Sequence, residues 1–306
     1  MDTLSLPRYL AYLRMPPGYA ATAVACEVCA GTQLAAIRDS VEIEPGLDVN
    51  LKVVACERCG YLFQNPRFDA AFYSAYYQER YRLVTNGSAG PSDAFMQDQL
   101  SRGEYLHEHL AGLFDAPGRM LDVGCSAGGI MQAFLKRGWT GFGTDPDAGY
   151  VEHGRQHYGA PIALQAAEEM LLEPHSYDLI VITGSLEHVV NPNRVLALCR
   201  QAARPDALLL LEGRALAQAR QTGRCGHNHR RYLTATSIYL LMRKHGWQPF
   251  TITGAPLCGP TRPQSVFGIG RAGGPLDGVA FDALVRDTPC DCADAIRGDF
   301  ARWLIG

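Results

Sequence analysis

The sequence lacks the features that would direct it to a membrane, a nucleic acid or the secretory pathway. No apolar run approaches the roughly 18 residues that a bilayer-spanning helix needs. Lys and Arg (28) do not outnumber Asp and Glu (31), and a net charge of −3 does not favour a nucleic-acid substrate. The start, MDTLSLPRYL, has neither the basic nor the apolar region of a secretory signal. We therefore expect a cytoplasmic protein with no membrane partner.

Two C-x2-C pairs stand in the first fifth of the chain, separated by 26 residues. Each pair suits a tight turn, and two turns together supply the four sulfur ligands that zinc prefers. Gly60 can adopt positive φ after the second pair, and VEIEPGLDVNLKVVAC predicts a hairpin between the pairs. Four thiolates leave no open coordination position, so a structural zinc site is favoured over a redox pair or a metal-free cluster. The predicted ligands are Cys26, Cys29, Cys56 and Cys59.

Further along, apolar runs alternate with helical patterns. MLDVG, TGFGTD, APIALQ, YDLIVITG and DALLLLEG read as strands, several of them continuously apolar like parallel strands buried on both faces. Helical patterns stand between them, which predicts a parallel sheet with right-handed crossovers. WQPFTITG and QSVFGIGRA predict a final pair of strands, whereas DAAFYSAYYQERYRLV and AFMQDQLSRGEYLHEHLAGLF predict helices before the sheet.

A glycine loop follows the first of these strands. Its pattern is D-x-G-x-S-x-G-G over residues 122–129, and it differs from the G-x-G-x-x-G of dinucleotide-binding proteins. Gly124, Gly128 and Gly129 allow a sharp turn and a close approach of the backbone to a ligand. Such a turn lies at the carboxyl edge of the sheet, where doubly wound folds bind their ligands.

This loop resembles the first motif of the class I S-adenosylmethionine (SAM)-dependent methyltransferases, with Ser126 in place of a common glycine. The family's second motif, an acid that ends strand two and binds both ribose hydroxyls, corresponds to Asp145. A carboxylate suits that role because it accepts two hydrogen bonds at once. The family's adenine-contacting aspartate falls on Ala166, a departure from the pattern, so Glu168 and the Ala167 N–H are the substitutes.

TGSLEHVVNP after strand four resembles another family segment, and the resemblance extends over residues 115–272. It implies an α/β fold, with a Rossmann-like seven-stranded methyltransferase sheet carrying helices on both faces, plus a small N-terminal zinc-ribbon-like domain. It also implies SAM as cofactor, S-adenosylhomocysteine (SAH) as product, and a set of cofactor contacts. That set is Asp122, Gly124, Cys125, Ser126, Gly128, Asp145, Pro146, Ala167, Glu168, Gly184 and Ser185.

The chain then divides into five predicted parts. They are an N-terminal arm (1–20), a zinc-binding module (21–67), a helical connection or lid (68–115), a SAM-binding methyltransferase domain (116–272) and a C-terminal helical extension (273–306). The aromatic residues of the connection have helical spacing, and we expect most of them to form core between the module and the main domain, with one tyrosine reaching the cofactor. They are Phe72, Tyr73, Tyr76, Tyr77 and Tyr81.

Methyl transfer to oxygen or carbon requires loss of a proton from the acceptor, and histidine titrates in the suitable range. The resemblance brings His188 and Glu187 near the transferred methyl group. His188 is the first choice for the base, with Glu187 orienting it or contacting substrate. The alternative is that His188 is an ordinary loop residue and Glu187 a structural hydrogen-bonding group.

A second catalytic candidate, His229, lies in GRCGHNHRRYLT, a segment able to fold over the cleft. The roles of His227 and Tyr232 in the same segment stay open. Its arginines either pair with a phosphate or carboxylate of the acceptor or form a solvated charge run. They are Arg224, Arg230 and Arg231.

The cysteine module, FQNPRF and YYQERY together resemble bacterial methyltransferases that carry a zinc-binding domain. The resemblance implies methyl transfer to an oxygen or carbon of a nucleotide sugar, polysaccharide or secondary-metabolite intermediate. The acceptor would be a small molecule, phosphorylated or nucleotide-linked in some of these cases, and the protein a monomer or homodimer. A zinc-ribbon RNA methyltransferase and a non-catalytic SAM-binding scaffold are the alternatives. Six acids against three bases between the outer cysteines disfavour RNA.

Overall fold

A computed structural model of the chain describes residues 2–81, 84, 90–254 and 256–290. Within these residues, a seven-stranded sheet is accompanied by helices and by three smaller sheets. None of the described helices combines the length and the apolar character that a bilayer crossing requires. The predicted C-terminal extension is helical at Gly278–Asp287, and its residues beyond 290 lie outside the described part of the chain.

Short strands and one helix form the N-terminal region. Its elements are β1 (Asp2–Leu4), α1 (Leu6–Tyr12), β2 (Ala21–Thr22), β3 (Leu34–Arg38), β4 (Val41–Glu44), β5 (Leu47–Val49), β6 (Val53–Cys56), β7 (Leu62–Gln64) and β8 (Arg67–Phe68). Strand β4 pairs with β5 in antiparallel fashion across the Pro-Gly turn, where Gly46 has φ of 89°, so the predicted hairpin is confirmed. The first and last strands of this region, β1 and β8, pair with β5 and β2.

The segment predicted as an N-terminal arm packs, within residues 2–15, against the rest of the N-terminal region. Strand β1 lies parallel to β5, and Tyr9 and Leu10 of α1 are buried. Tyr9 stacks on Phe68, and its hydroxyl is 2.7 Å from Nδ1 of His227. These contacts are long-range in sequence, and local polarity therefore gave no sign of them.

Strand β14 (Arg231–Tyr232) comes from the distal part of the chain but completes the sheet of the cysteine module, in the order β14-β7-β6-β3. Arg231 pairs with Phe63 and Tyr232 with Leu62, both antiparallel. The module is thus built from two separate segments of the sequence. This arrangement fixes the loop before β14 against the N-terminal region.

Eight further helices follow α1 among the described residues, and most begin at a side-chain cap. Asp69, Ser92, Asp147, Asn191, Thr234 and Asp277 each accept a hydrogen bond from a backbone N–H of the first turn. The helices are α2 (Ala70–Glu79), α3 (Asp93–Leu110), α4 (Gly129–Leu135), α5 (Ala148–Tyr158), α6 (Pro192–Ala202), α7 (Ala215–Thr222), α8 (Ala235–Lys244) and α9 (Gly278–Asp287).

The central sheet has the strand order β11-β10-β9-β12-β13-β16-β15. Its strands are β9 (Arg119–Val123), β10 (Thr140–Asp145), β11 (Ile162–Leu164), β12 (Tyr177–Thr183), β13 (Ala203–Gly213), β15 (Trp247–Thr253) and β16 (Val266–Ala272). The seven-stranded α/β sheet is confirmed, and the strands that alternate with helices, β11, β10, β9, β12 and β13, run parallel to one another as predicted. Strand β16 is antiparallel to both β13 and β15, because a loop rather than a crossover helix returns the chain from β15.

Helices cover both faces of this sheet, as neighbouring residues of β12 demonstrate. Leu179 and Val181 join a core cluster with residues of α3, α4 and α5, whereas Ile180 and Ile182 join a cluster with residues of α6, α8 and α9. All four side chains are fully buried, which is why this strand reads as one continuous apolar run.

The aromatic residues of α2 share a core cluster with the N-terminal region and with residues of α7. Phe72 and Tyr76 are buried and stack on each other, and Phe72 also stacks on Phe68 of β8 with ring centroids 4.1 Å apart. Fully burying a side chain of this size contributes roughly 1.5–3 kcal/mol. The predicted core role is confirmed for Phe72, Tyr73 and Tyr76.

Candidate functional site

A cavity of about 540 Å³ lies at the carboxyl ends of β9, β10, β12 and β13. Helix α2 and residues of the segment before β14 contribute to its wall. The predicted site residues that line it are Gly124, Cys125, Ser126, Asp145, Pro146, Ala167, Glu168, Gly184, Ser185 and His188. Asp122, Gly128, Glu187 and His229 are not among the lining residues.

The glycine loop adopts a turn that no other residue would tolerate at Gly124. Its φ is 71°, and a Cβ atom there would lie 2.4 Å from Cβ of Ser185. The N–H groups of Gly124 and Cys125 both donate to the carbonyl of Thr144, which ties the loop to the end of β10. Ser185 donates from Oγ to the carbonyl of Val123 at 2.6 Å. These bonds bring the ends of β9, β10 and β12 together around one side of the cavity.

Asp145 is 6% exposed, and its carboxylate binds the glycine loop at the cavity wall. Oδ2 accepts a hydrogen bond from the Ser126 N–H at 2.8 Å, and Oδ1 accepts one from the Asp147 N–H at 3.0 Å. An ionised carboxylate accepts up to about four hydrogen bonds. Asp145 can therefore both support the loop and receive donors from a ligand.

Asp122 and Gly128 belong to the glycine loop but do not line the cavity. Asp122 is 1% exposed, and neither carboxylate oxygen has a hydrogen-bond partner among the described residues. Burial, with a further contribution from the charge of Asp145, raises the pKa of Asp122 to about 7. Gly128 caps α4 in the left-handed conformation with φ of 73°. The contact of Asp122 with the cofactor stays a prediction.

Ala167 and Glu168 line the cavity in the region where the resemblance expects contacts to adenine. Oε1 of Glu168 accepts hydrogen bonds from the N–H groups of Val190 and Asn191, the latter at 2.9 Å. This oxygen therefore holds the loop that follows His188. The role of Glu168 as a cofactor contact stays a prediction.

His188 lines the cavity with a defined ring orientation. Its Nδ1 lies 2.9 Å from the carbonyl oxygen of Asn228 and 3.1 Å from the hydroxyl of Tyr77. Because a carbonyl can only accept, Nδ1 carries the proton. In the neutral ring, Nε2 then holds the lone pair that a general base needs. The rings of Tyr77 and Tyr81 pack against the imidazole, both with centroids 6.1 Å away.

Glu187 faces away from the cavity, which removes the support for its predicted catalytic role. Glu187 is fully buried and packs against the start of α7. Its carboxylate accepts hydrogen bonds there from the N–H groups of Arg214 and Ala215. A weaker bond comes from the N–H of Leu233 at 3.4 Å. Burial raises the pKa of Glu187 to about 8, against the lowering effect of these donors. This is the structural reading that the sequence left open.

His229 lies next to His188, with ring centroids 4.8 Å apart, but does not line the cavity. Burial, with the neighbouring charges of His188 and Arg214, holds its pKa well below the usual range. Burial likewise lowers the pKa of His227 to about 4. His227 bonds to Tyr9, and Tyr232 donates from its hydroxyl to the carbonyl of Gly226, so both serve the packing of this segment.

Several cavity residues were not identified from the sequence. Glu212 closes the buried run DALLLLEG at the carboxyl end of β13, and that position was a usable signal. Arg262 is 4% exposed and pairs with Asp98 at 2.7 Å, but the Pro- and Gly-rich loop around it carries no pattern. The hydroxyl-bearing residues Tyr73, Tyr77 and Tyr81 were expected mainly as core, and all three line the cavity.

The four predicted cysteines form one buried cluster outside the cavity. Their Sγ atoms all lie within 4.8 Å of one another, with pairs 3.5 Å apart. A tetrahedral site with Zn–S bonds of about 2.3 Å requires sulfur separations of about 3.8 Å. Gly60 has φ of 71° as predicted, and Ala30 takes the matching place in the first turn with φ of 58°. The thiol set fits a tetrahedral metal.

Glu27, inside the first C-x2-C pair, joins this cluster to the cavity wall. Its carboxylate binds Arg231 at 2.6 and 2.7 Å and Arg67 at 2.7 Å. Arg231 in turn donates to the carbonyls of Val189 and Val190, immediately after His188. The Glu27–Arg231 pair therefore links the cysteine turn to the loop that carries the candidate base.

Comparison with known proteins adds the following. A family model described as "Methyltransferase domain" matches residues 94–251, just over half of the chain. A ubiquinone biosynthesis O-methyltransferase of Photobacterium profundum is 33% identical over 111 residues, 34% of this chain and 46% of the relative. The protein of the same name from Agrobacterium fabrum is 28% identical over 132 residues, 39% and 51% of the two chains. The chain spans about half the length of the curated relatives it matches.

Solved structures resemble the chain only distantly. The PH0226 protein of Pyrococcus horikoshii has a TM-score of 0.48 at 13% identity, covering 66% of this chain and 98% of that one. A 1,6-didemethyltoxoflavin-N1-methyltransferase of Burkholderia thailandensis, solved with SAH, has a TM-score of 0.45 at 19% identity, covering 67% and 87%. Similarity at this level carries no argument about the site.

Proposed function

Because the chain belongs to the methyltransferase-domain family, the class I SAM-dependent methyltransferases, we propose that it transfers the methyl group of SAM to an oxygen or carbon of a small organic acceptor. The observation that carries the proposal is the shared cavity. One wall holds the glycine loop and Asp145, and another holds His188 in the tautomer of a base. A binding loop and a proton acceptor in one cavity are what such a transfer requires.

The cavity residues fit the cofactor. When bound, SAM supplies an electrophilic methyl group on a cationic sulfonium, so the protein has to bind, align and exclude water. Asp145 suits ribose hydroxyls, which donate to carboxylate oxygens. Acidic side chains suit the positive charges of the cofactor. Oε1 of Glu212 accepts no hydrogen bond from a described residue, and its ion-pair partner Arg262 is 3.8 Å away. The acids of the cavity lining are Asp145, Asp147, Glu168, Glu169 and Glu212.

In this proposal, His188 takes the proton that an acceptor hydroxyl loses. The Asn228 carbonyl keeps the ring proton on Nδ1, so Nε2 is the accepting atom. Tyr77 and Tyr81 pack around the imidazole and limit the access of water to it. Oxygen is the preferred acceptor atom, since the curated relatives are named O-methyltransferases, although the match covers only about a third of this chain.

A small-molecule acceptor is favoured over RNA because the three basic side chains between the outer cysteines already have partners. Lys52 pairs with Asp39, Arg58 pairs with Asp282, and Arg38 donates to the carbonyl of Gly223. A ribbon that grips RNA needs such side chains for phosphates. The acceptor class proposed is therefore a hydroxylated metabolite, such as a sugar nucleotide or a secondary-metabolite intermediate.

Replacing His188 with Asn should lower kcat about 100- to 10,000-fold, the usual contribution of a positioned acid or base. Asn retains a polar group of similar shape but cannot accept the proton. The assay incubates the full chain with SAM and a panel of hydroxylated metabolites and nucleotide sugars, and follows SAH and the methylated product by mass spectrometry. His157→Asn, an exposed position on α5, is the matched control. Unchanged kcat in His188→Asn would refute the base assignment. Bound SAM that is not converted to SAH with any acceptor of the panel would favour the non-catalytic scaffold over the enzyme.

Replacing Asp145 with Ala should weaken SAM and SAH binding by about 1–3 kcal/mol, since buried hydrogen bonds to a charged group are lost. Isothermal titration calorimetry measures this directly. Asp145→Asn serves as the closer variant, because one amide oxygen can still accept a bond while the NH₂ group opposes the loop N–H donors. Affinity for SAH equal to that of the wild type would rule out the ribose role.

A further inference from the structure

The cavity contains a buried cation that no acidic side chain of the described residues neutralises. Arg230 is 1% exposed and lines the cavity. None of its three guanidinium nitrogens makes a hydrogen bond with a described residue. A guanidinium carries five N–H donors and stays charged, so burying it without acceptors is strongly unfavourable unless a ligand supplies them.

Other arginines in or near this segment do have hydrogen-bond or ion-pair partners. Arg231, one residue later, binds Glu27 and backbone carbonyls. Arg224 pairs with Glu42, and Arg262 across the cavity pairs with Asp98. Among the described residues, Arg230 stacks on the ring of Tyr73, with its guanidinium carbon 3.3 Å from the ring centroid, and lies near the neutral hydroxyl of Tyr77, but no carboxylate pairs with it. Stacking of this kind orients the planar fork but leaves its N–H groups without acceptors.

Arg230 is held rigidly beside the candidate base. Its N–H donates to the carbonyl of Glu187, the residue before His188, and its own carbonyl accepts from the N–H of Gln64. Asn228, two residues earlier, binds His188, so one short segment positions both side chains. Arg214, which also lines the cavity, forms no ion pair within the described residues and adds a second positive charge.

We propose that Arg230 binds an oxyanion of the acceptor, so that the substrate of this site is an anionic metabolite, with its carboxylate or phosphate group held close to the atom that is methylated. That the bound anion belongs to a methyl acceptor rests on the proposed function. Binding of an anion by Arg230 does not require turnover. A planar fork with paired N–H groups matches two oxygens of a carboxylate or phosphate. The acidic side chains of the cavity then face the cationic cofactor. The guanidinium of Arg230 favours an acceptor that carries a negative charge.

The test measures anion binding without catalysis. Full-length protein saturated with SAH is titrated with inorganic phosphate and, separately, with acetate, and binding is followed by calorimetry and by phosphorus NMR line broadening for phosphate. Wild-type protein should bind at least one of the two saturably in the millimolar range. Arg230→Gln should weaken that binding about 10- to 100-fold, and Arg230→Lys by less, because the ammonium keeps the charge but not the bidentate geometry. Arg224→Gln, with the same change of net charge on the same segment, should bind like the wild type.

The outcomes separate the possible sources of the anion. Tighter binding of phosphate indicates a phosphorylated or nucleotide-linked acceptor, and tighter binding of acetate indicates a carboxylic acid. If Arg230→Gln does not fold, a phosphate soak of wild-type crystals takes its place, and density against the Arg230 guanidinium is the expected result. Saturable binding by Arg230→Gln equal to the wild type, no binding of either anion by the wild type, or density only elsewhere would overturn the proposal. Failure of SAH to bind would instead refute the proposed function.

Discussion

Replacing Cys56 with Ser is expected to remove a bound zinc ion from the four-cysteine cluster and to unfold the N-terminal region around it. The four Sγ atoms lie within 4.8 Å of one another, and Cys56 is fully buried at the end of β6. Structural zinc contributes about 10–16 kcal/mol to the folding of small metal domains, and a serine hydroxyl is a poor replacement for thiolate. The expected result is loss of one zinc per chain by mass spectrometry and a lowered Tm in calorimetry.

Cys258→Ser is the matched control, because Cys258 is partly exposed and stands outside the cluster. It should retain zinc and a Tm close to that of the wild type. Zinc content and Tm in Cys56→Ser equal to those of the wild type would mean that the cluster binds no structural metal. The redox alternative makes a different prediction, since a reactive pair would form a disulfide on oxidation, whereas four metal-bound thiolates would resist alkylation until the zinc is chelated.

The order of strands and helices could be predicted because burial leaves a direct trace in the sequence. Ile180 and Val181 face opposite sides of a covered sheet, so β12 reads as an uninterrupted apolar run. The glycine loop was equally predictable. Gly124 has φ of 71° and packs against Ser185, where only glycine fits. The direction of β16 left no such trace. A buried strand is equally apolar whether its neighbours run parallel or antiparallel to it. The direction of β16 is therefore decided by the loop that connects it to β15.

The sequence could not predict which of two adjacent residues faces the cavity and which is held by hydrogen bonds elsewhere. Glu187 and His188 share a loop, yet three backbone N–H groups, two at the start of α7 and one directly after β14, bind the carboxylate of Glu187, while His188 lines the cavity. Arg230 and Arg231 likewise point to opposite sides of an extended segment, one into the cavity and one to Glu27. The sequence places these side chains near the cleft, but the donors and acceptors that sort them come from distant elements.

Replacing Glu27 with Ala should cost about 3–5 kcal/mol of stability, because it leaves Arg231, which is fully buried, without its carboxylate partner. Burial opposes ionisation of Glu27, but Arg231 and Arg67 outweigh it and hold the pKa of this carboxyl at about 2. Arg231 also donates to the carbonyls of Val189 and Val190. We therefore expect the loop after His188 to loosen, so that kcat falls beyond what the lost stability explains at a temperature where the variant is folded.

Two comparisons separate positioning from simple destabilisation. Glu57→Ala, at the exposed acid inside the second C-x2-C pair, removes a carboxylate from the equivalent turn and should leave Tm and kcat close to wild type. Glu27→Gln retains the shape and two hydrogen-bonding atoms but not the charge, and should fall between the wild type and Glu27→Ala in both quantities. Measurements are unfolding in guanidinium chloride, zinc content, and kcat against KM for the acceptor. Wild-type stability in Glu27→Ala, or a loss of zinc equal to that of Cys56→Ser, would show that the ion pair does not couple the cysteine turn to the cavity in the way its geometry implies.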